Sequence, residues 1–421
     1  MKISVIVPAY NSEKFISETI DCLLSQTLSD IQIIIVNDGS TDGTGAIIER
    51  YASKNPNILT IHQDNSGVSA ARNNGINHAE GKYIMFLDSD DLLSADSLEQ
   101  VYNKLEETNA DMAIWRILRF GYGGDEFNPV ADSLAKDNLI NCFDKRLLWN
   151  FLLGNKCFRT DIIKKSEIRF PPLRYSEDGA FIMQLIYKQH PKITGVFSAV
   201  YHYRRHTPKE GFSVSQSISG ELVSHFSQSL DIVYNAAQQA DADEPYLQEI
   251  IYKTYFSLIN EFYRILWRAD NDTVKLIGTK CRELEEKMTA ETLKKCREMQ
   301  TDIGEPIFDT KEIVQKPVIS VIAKNPSDEF ISSVYAQSMP IFEIISAKSI
   351  NKENAVFLPS KQFGKSAKKV SKGKIILKFK GNENLDSRLF KIISMLKKKR
   401  MISLMPDFLI KFGAALLLKL K

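Results

Sequence analysis

A short apolar run that ends in a cluster of carboxylates constrains the fold of this chain more than any other stretch of its sequence. Residues 83–87 are apolar and β-prone, and the run is too short for a helix of normal length, so it predicts a buried strand. Asp88, Asp90 and Asp91 follow within four positions. Ligands of α/β sheets bind beyond the carboxyl ends of strands, and closely spaced carboxylates suit Mg²⁺ and Mn²⁺. The stretch predicts either a metal site that carries a phosphate group or a solvated acidic turn before a helix near Ser94.

The residues before this run alternate between short β-prone segments and amphipathic helices. The predicted strands cover residues 3–7, 31–36 and 59–62, and the predicted helices cover residues 12–26, 44–52 and 69–79, with Ser12 as the first N-cap. Strands and helices that alternate with short connections imply a parallel sheet. The loops at the carboxyl ends of its strands would bring residues 8–11, Asp38, Asn65 and Asp88 to one rim. We therefore predict an α/β fold with a site of nucleotide size.

The size and composition of the chain indicate a soluble protein with two or three domains. The chain has 421 residues, of which 43% are hydrophobic and 25% charged, and a domain typically takes about 150 residues. Five cysteines without C-x-x-C spacing, and a strand rather than a signal peptide at the N-terminus, favour a reducing cytoplasm. Lys411 and Lys419 interrupt the longest apolar candidate, so we expect no segment that spans a membrane.

Charge is distributed unevenly along the chain. Residues 316–421 contain 21 Lys and Arg against 7 Asp and Glu, whereas residues 1–315 contain 34 against 45. The imbalance points to an anionic partner for the C-terminal part or to a solvated lysine-rich face. Residues 387–421 combine nine basic residues and one acid with many apolar ones, which favours a basic amphipathic helical tail on an anionic membrane surface. A solvated tail or a dimer contact fits almost as well, and no nucleic-acid partner is expected, because no recognised binding module accompanies the charge.

Four motifs stand in order at the ends of the predicted strands. They read S-V-I-V-P-A-Y-N at residues 4–11, V-N-D-G-S-T-D at 36–42, N-S-G-V-S-A-A-R-N at 65–73 and D-S-D-D at 88–91. Together they resemble the successive motifs of the family 2 glycosyltransferases, inverting enzymes with the GT-A fold, here of the type that builds bacterial surface polysaccharides. The four motifs cover residues 1–110, and a further match extends to about residue 215.

The resemblance implies that these motifs bind a UDP-sugar. Asp38 would bind the base, Arg72 the base or the phosphates, and Asp88 the ribose. Asp90 would hold Mn²⁺ or Mg²⁺, which neutralises the charge of the leaving diphosphate. The residues implied in nucleotide-sugar binding are Pro8, Ala9, Tyr10, Asn11, Asp38, Asn65, Gly67, Arg72, Asp88, Ser89 and Arg204.

An acidic pair further along the chain supplies the remaining catalytic part. Glu177 and Asp178 precede an apolar helix that we predict over residues 180–187. Inverting members of the family usually carry such a pair, so the resemblance implies that Asp178 is the general base and Glu177 its neighbour. A general base is the one further group that an inverting transfer needs. The alternative is an acidic helix N-terminus that the helix dipole favours.

The segment Y-H-Y-R-R-H at residues 201–206 is similar to a family segment that can close over the diphosphate. This chain keeps Arg204 but has His206 where a second arginine is common. His206 could serve as a metal ligand or as a phosphate donor. A surface histidine is the alternative interpretation.

Four regions follow from these patterns. We predict a GT-A catalytic domain at residues 1–216, with a nucleotide-sugar half at 1–110 and an acceptor half at 111–216. A helical region covers 217–315, a degenerate GT-A-like α/β repeat covers 316–386, and the basic tail covers 387–421. In the repeat, residues 319–322 match residues 3–6 and residues 373–379 echo residues 81–87, but Lys380, Gly381 and Asn382 align with Asp88, Ser89 and Asp90. We infer a catalytically inactive copy, with coincidental α/β patterning as the alternative.

The predicted function is a metal-assisted, inverting transfer of a sugar from a UDP-sugar to a hydroxyl of a glycan or lipid-linked glycan acceptor. Such acceptors belong to capsule, lipopolysaccharide or teichoic acid synthesis, on the cytoplasmic side of the membrane. A sugar-phosphate nucleotidyltransferase shares the acidic site but usually needs a glycine-rich basic loop after the first strand, which P-A-Y-N at residues 8–11 is not. A non-catalytic glycan-binding scaffold derived from a transferase is the third class. Homo-oligomerisation is left open.

Overall fold

A computed structural model describes residues 1–121, 124–206, 220–265, 271–303, 319–328, 330–331, 342–346, 355–357, 375–379 and 419–420. The chain divides into two compact units. The first consists of Met1–Ser217 and Ser224–Lys253, and the second consists of Ile218–Val223 and Thr254–Lys421.

Four parallel strands begin the sheet of the first unit. They are β1 (Ile3–Ala9), β2 (Ile31–Asp38), β3 (Ile58–Gln63) and β4 (Tyr83–Phe86), in the order β3-β2-β1-β4. Ile3 lies opposite both Ile31 and Tyr83, so the central strands run in register and their loops leave from the same edge. The four predicted strands are confirmed.

Three helices connect these strands: α1 (Ile16–Leu24), α2 (Thr44–Ala52) and α3 (Val68–His78). The second and third agree with prediction, but the first begins four residues later than predicted. The prediction of Ser12 as its N-cap is wrong, because the Ser12 backbone N–H donates to Thr44 Oγ1 (2.7 Å) and its hydroxyl shares a hydrogen bond with Ser89 Oγ (2.7 Å). These two contacts hold Ser12 at the rim of the sheet instead.

The rest of this sheet is mixed. It adds β5 (Leu92–Leu93), β6 (Met112–Gly121), β7 (Glu126–Phe127), β8 (Lys156–Arg159) and β9 (Ile193–Arg205). The helices here are α4 (Ser97–Thr108), α5 (Pro129–Ala135), a 3₁₀ helix (Lys145–Trp149), α6 (Thr160–Ser166) and α7 (Glu177–Gln189). Strand β8 runs antiparallel between β4 and β6, and the order continues β4-β8-β6-β9-β5, with β7 on β6.

The strands bury side chains on both faces of the sheet, as parallel strands covered by helices do. Ile6 and Ile34 belong to one core cluster, whereas Val7 and Ile35 belong to the other. Successive residues of a strand point to opposite faces, and full burial of each such side chain contributes roughly 1.5–3 kcal/mol. The two cores therefore fix where each loop leaves the sheet. The predicted mostly parallel α/β fold is confirmed.

Four helices follow the first sheet: α8 (Gly220–Gln239), α9 (Glu244–Ile265), α10 (Asn271–Glu285) and α11 (Ala290–Ile303). Their presence agrees with the predicted helical region. Residues 224–253, which include most of α8 and the start of α9, belong to the first unit. None of the helices in the described ranges is long and apolar enough to cross a bilayer.

The second unit contains its own sheet. Its strands are β10 (Ile319–Ala323), β11 (Phe342–Ser346), β12 (Ala355–Phe357), β13 (Ile375–Phe379) and β14 (Lys419–Leu420), in the order β12-β11-β10-β13-β14. The first four are parallel, and Ile319 lies opposite both Phe342 and Ile375. The strands of the predicted α/β repeat are present and parallel, and the repeat itself stays a prediction.

Two predictions for the second unit concern residues that lie mainly outside the described ranges. Lys380, Gly381 and Asn382, and residues 387–418 of the predicted tail, lie outside the described residues. The prediction of a helical tail is wrong at its end, because Lys419–Leu420 is a strand that pairs antiparallel with β13. The free edge of β13 offers backbone groups that an extended segment can pair with.

Candidate active site

The first two predicted loops are joined to each other at the carboxyl edge of the first sheet. Asn11 has a positive φ of 48°, and its Oδ1 accepts a hydrogen bond from the Thr41 backbone N–H (2.8 Å). The Asn11 backbone N–H donates to Ser40 Oγ (3.0 Å). Asparagine tolerates this left-handed conformation better than most residues, which explains its use at this position.

The remaining residues of the first motif differ in exposure. Pro8 and Ala9 are buried within β1, whereas Tyr10 directly after the strand is 50% exposed. The Tyr10 ring is therefore available at the rim, beside the joined loops. Pro8 and Ala9 shape the backbone from which it leaves.

Asp38 is buried at the end of β2, and its carboxylate organises the third loop. Its Oδ1 accepts hydrogen bonds from Gln63 Nε2 (2.7 Å) and from the Ser66 backbone N–H (2.9 Å), and its Oδ2 accepts one from the Gly67 N–H (2.9 Å). A side chain at Gly39, where φ is 71°, would collide with the Asn65 backbone nitrogen at 2.7 Å. The loop that carries Asn65 and Gly67 is thus fixed beside the end of β2. A contact of Asp38 with the base stays a prediction.

Arg72 connects the carboxylates of two distant segments. Its Nη2 donates to Asp88 Oδ1 (2.9 Å), and its Nη1 donates to Glu177 Oε1 (2.9 Å) and to Asp178 Oδ1 (2.7 Å). The Arg72 side chain is only 4% exposed, and its guanidinium lies 5.4 Å from the centre of the Phe170 ring. Buried, charge-assisted hydrogen bonds of this kind are strong and directional. The end of β4 and the start of α7, about ninety positions apart, are therefore held together.

The charges around Arg72 alter its pKa and that of Asp178. Burial raises the pKa of Asp178 to about 8; the cations Arg72 and Lys156 lower it, and the carboxylates Glu177 and Asp88 raise it. Burial lowers the pKa of Arg72, but the charges of Asp178, Asp88 and Glu177 outweigh that effect and raise it. A carboxyl group with a raised pKa is a suitable proton acceptor near neutral pH.

Asp90, the second carboxylate of the D-S-D-D loop, pairs with His206. The His206 Nε2 lies 2.5 Å from Asp90 Oδ2, and the imidazole packs on the Phe15 ring with 5.0 Å between ring centres. Arg204 fixes the loop from the same strand end, since its Nε donates to the Asp90 carbonyl oxygen (2.7 Å) and its Nη2 donates to Glu18 Oε2 (2.6 Å). The Ser89 carbonyl oxygen accepts from Thr19 Oγ1 (3.0 Å).

A buried contact that the sequence did not predict lies beneath this loop. Asp91 is buried, and its carboxylate accepts hydrogen bonds from the Tyr201 hydroxyl and from the Arg204 backbone N–H (2.7 Å). Burial, together with the charges of Asp90 and Asp88, raises the pKa of Asp91. Asp91 therefore joins the D-S-D-D loop to β9, the strand that directly precedes His206. The third carboxylate of the motif and the Tyr in Y-H-Y-R were the available sequence signals.

The donor atoms at Asp90 and His206 fit a divalent metal ion. Within the described ranges, no three or more His, Cys, Asp or Glu side chains are arranged to hold a metal. Mg²⁺, however, usually takes one or two carboxylates and completes its shell with water and substrate phosphates, carboxylates also suit Mn²⁺, and histidine is the commonest metal ligand in proteins. Asp90 is 31% exposed, so an ion in solution can reach its carboxylate. Two protein ligands suffice for a metal shared with a substrate.

Comparisons with known proteins identify the family of this chain. The model of the family described as Glycosyl transferase family 2 matches residues 4–166. Glycosyltransferase GlyG of Streptococcus pneumoniae is 32% identical over 215 residues, which are 48% of this chain and 70% of that protein. Glycosyltransferase GlyA of the same organism is 34% identical over 214 residues, 48% of this chain and 30% of that protein. The chain belongs to glycosyltransferase family 2.

A third relative supplies a fold comparison. The poly(ribitol-phosphate) beta-N-acetylglucosaminyltransferase TarS of Staphylococcus aureus is 28% identical over 256 residues, 60% of this chain and 43% of that protein. The crystal structure of TarS 1–349 in complex with UDP-GlcNAc superposes with a TM-score of 0.56 at 22% identity, covering 69% of this chain and 83% of that one. This likeness confirms the GT-A fold. The chain spans less than half of the lengths of GlyA and TarS.

Proposed function

We propose that this chain is an inverting glycosyltransferase that moves a sugar from a UDP-sugar to a hydroxyl of a bacterial surface polymer. The observation that carries the proposal is the Arg72 guanidinium, which holds Asp88 of the donor side and Asp178 of α7 within 2.9 Å of its nitrogens. The donor loop and the general base must lie on either side of the transferred sugar, and Arg72 brings Asp88 of that loop and Asp178 close together. The relation to TarS supports a nucleotide-sugar donor and a phosphate-bearing polyol or glycan acceptor.

Asp178 acts as the general base. The acceptor oxygen forms a bond to the anomeric carbon while the bond from that carbon to the diphosphate breaks, and the hydroxyl proton passes to Asp178. UDP leaves on the opposite face, so the configuration inverts. Arg72 and Glu177 orient the base, because both lie in the same buried hydrogen-bonded group.

Asp90 and His206 would hold a metal ion, and Arg204 fixes the loop that carries Asp90. A bound Mn²⁺ or Mg²⁺ would neutralise the charge that develops on the leaving diphosphate. The nucleotide lies along the joined loops of the first sheet, where Tyr10 and Asn11 are at the surface and Asp38 shapes the loop of Asn65 and Gly67. Ser89 and Asp88 complete the donor side.

The test is release of UDP from a panel of nucleotide sugars, with and without polyol-phosphate and glycan acceptors. We expect turnover of at least one UDP-sugar that an acceptor accelerates, that EDTA abolishes and that Mn²⁺ restores. Release of pyrophosphate from UTP and a sugar 1-phosphate would instead identify a nucleotidyltransferase. Glycan binding without turnover of any nucleotide sugar would identify a scaffold.

A further inference from the structure

A lysine in the first unit has its ammonium group buried among aromatic rings. Lys253, on α9, is 6% exposed. Its Nζ lies 4.0 Å from the centre of the Phe151 ring, 5.8 Å from that of Phe226 and 5.9 Å from that of Trp149. The three rings come from two separate segments, the end of the 3₁₀ helix and α8.

In the described part of the chain, the faces of these three rings are the only groups with partial negative charge that contact the Lys253 ammonium. Within those residues, no carboxylate oxygen lies within 4.0 Å of Lys253 Nζ, and no hydrogen-bond acceptor is in reach. Burial alone lowers the pKa of Lys253, to about 7. Lys156 is also buried, but its Nζ donates to the Leu152 carbonyl oxygen (2.5 Å) and to Asn155 Oδ1 (2.9 Å). Contact with ring faces stabilises an ammonium by less than its desolvation costs. Lys156 offsets that cost with two hydrogen-bond acceptors, whereas Lys253 has neither an acceptor nor a counter-charge among the described residues.

A second unsatisfied group lies in the same segment. Asn150 is 3% exposed, and neither its Nδ2 nor its Oδ1 has a hydrogen-bond partner in the described residues. Buried amides are almost always hydrogen-bonded, and an exception calls for an explanation such as an absent ligand. Trp149 and Phe151, on either side of Asn150, are the rings that contact Lys253.

The aromatic cluster adjoins the general base. A side chain at Gly179 would overlap the Phe151 ring, so the ring packs directly on the backbone next to Asp178. From the other side, Ser229 Oγ of α8 donates to the Ser176 carbonyl oxygen (2.6 Å). The Tyr175 ring lies 5.9 Å from that of Phe226. The rings of Trp149, Phe151 and Tyr175 are partly exposed, so a ligand on the acceptor side of Asp178 can reach them.

We propose that Lys253 and the rings of Trp149, Phe151 and Phe226 form an acceptor subsite that binds a phosphate group of the acceptor. The inference rests on the proposed function, because it takes the side of Asp178 away from the donor to be the acceptor side. Phosphate supplies the charge that Lys253 lacks, and the rings pack against the carbon chain of a polyol. The hydroxyl that reacts then lies one unit of the polymer away, at Asp178.

The experiment compares a charged and a neutral polyol of the same skeleton. Binding of ribitol 5-phosphate and of ribitol is measured by calorimetry on the full chain, with and without saturating UDP and Mn²⁺. We expect the wild type to bind ribitol 5-phosphate at least ~10-fold more tightly than ribitol. Lys253→Met, which keeps the length and fills the ring cluster, should bring the two dissociation constants within ~2-fold of each other. The control is Lys54→Met, which removes an exposed lysine beyond α2 and should keep the preference.

Two results would overturn the subsite. One is a preference for the phosphate that Lys253→Met retains, and the other is a preference that saturating UDP abolishes in the wild type, since the phosphate would then bind at the donor site. Thermal melting separates ligand binding from a structural role. We expect Lys253→Met to melt no lower than the wild type because it removes a charge without a counter-charge, and a lower melting temperature would mean that the ammonium serves the fold.

Failure of the subsite and failure of the proposed function give different results. If UDP-sugar turnover occurs but ribitol 5-phosphate and ribitol bind alike, only the subsite is wrong. If no nucleotide sugar is turned over yet the phosphate preference depends on Lys253, the proposed transfer is wrong and the phosphate site stands.

Discussion

The sheet of the first unit and the sheet of the second unit share their strand order but differ in the residues that follow their strands. In the first, β3-β2-β1-β4 runs parallel, with Ile3 opposite Tyr83; in the second, β12-β11-β10-β13 does the same, with Ile319 opposite Ile375. After β4 the chain reads L-D-S-D-D, whereas after β13 it reads K-G-N-E-N. The sheets agree in their strand order and diverge in the sequence that follows the strands.

The difference separates what builds the sheet from what builds the site. Runs of Ile and Val favour parallel strands, and parallel strands form in both units. The site needs more: Arg72 joins two distant segments, Asp38 fixes a loop, and Asp91 ties β4 to β9. None of those groups is used in forming the strands, so they can be lost without loss of the sheet.

The most direct test of this difference replaces the carboxylate at the predicted metal position of the first unit with the residue found in the second unit. Asn382 aligns with Asp90, so Asp90→Asn puts the second unit's residue at the metal position. We expect UDP-sugar transfer to fall about 10³-fold, because the amide removes the anionic ligand that would stabilise charge on the leaving diphosphate. Steady-state kinetics against Mn²⁺ concentration measure it, and unchanged turnover would remove Asp90 from the metal site.

A smaller but still large loss is expected at the base. Asp178→Asn keeps the shape of the side chain and one hydrogen bond to Arg72 but cannot accept a proton. We expect transfer to fall at least ~10²-fold while the dissociation constant for the UDP-sugar stays within ~3-fold. Calorimetry and single-turnover assays check the two parts. Equal losses in binding and transfer would instead make Asp178 part of the donor site.

The strands of the first sheet could be predicted from the sequence because each depends on a local pattern. Residues 3–7, 31–36, 59–62 and 83–87 are apolar runs bounded by polar turns, and burial of both sheet faces makes such runs sufficient. The start of α1 was predicted wrongly because it depends on contacts between residues that are distant in the sequence. Ser12 resembles an N-cap locally, but Thr44 and Ser89, which lie far along the chain, determine its hydrogen bonds.

The sequence predicted the residues of the candidate site that lie in motifs, but not the contacts between them. Asp88, Asp90 and Asp178 stood out, and the structure brings Asp88 and Asp178 to one guanidinium. The contact between Asp91 and Tyr201 joins residues 110 positions apart, and the ring cluster at Lys253 joins segments about 100 positions apart. No periodicity or spacing in a single sequence reports such pairs.

The pH dependence of transfer tests how the first unit sets the charge of its base. Because Asp178 must be deprotonated to act, and burial raises its pKa to about 8, we expect kcat/KM to fall as the pH drops through that range, well above the usual carboxyl pKa. Lys156, whose positive charge lowers the pKa of Asp178, offers a matched change. Burial lowers the pKa of Lys156 to about 7, so the lysine carries only part of its charge where Asp178 titrates. Lys156→Met should therefore move this acid limb to higher pH by less than about one unit.

The control for this profile is Lys145→Met, which removes an exposed lysine at the start of the 3₁₀ helix and should leave the limb in place. A limb near pH 4 in the wild type would show that Asp178 is not the group that titrates. An equal shift in both variants would assign the effect to net charge rather than to the buried ammonium.

The smallest effect is expected from the reverse exchange in the second unit. Asn382→Asp restores one carboxylate at the position aligned with Asp90, but a divalent ion shared with a nucleotide also needs phosphates held by other groups. In the first unit that holding depends on joined loops, with Asn11 bonded to Thr41 and Asp38 bonded to Gly67. The D-G-S turn of those loops follows β2, and the sequence after β11, the corresponding strand, carries no such turn. We therefore expect transfer within ~2-fold of wild type and an unchanged UDP·Mn²⁺ stoichiometry by calorimetry. If Asn382→Asp bound a second equivalent of UDP, the second sheet would have kept a nucleotide site that lacks only its carboxylate. The two units would then differ by one charged residue rather than by a whole set of hydrogen-bonded loops.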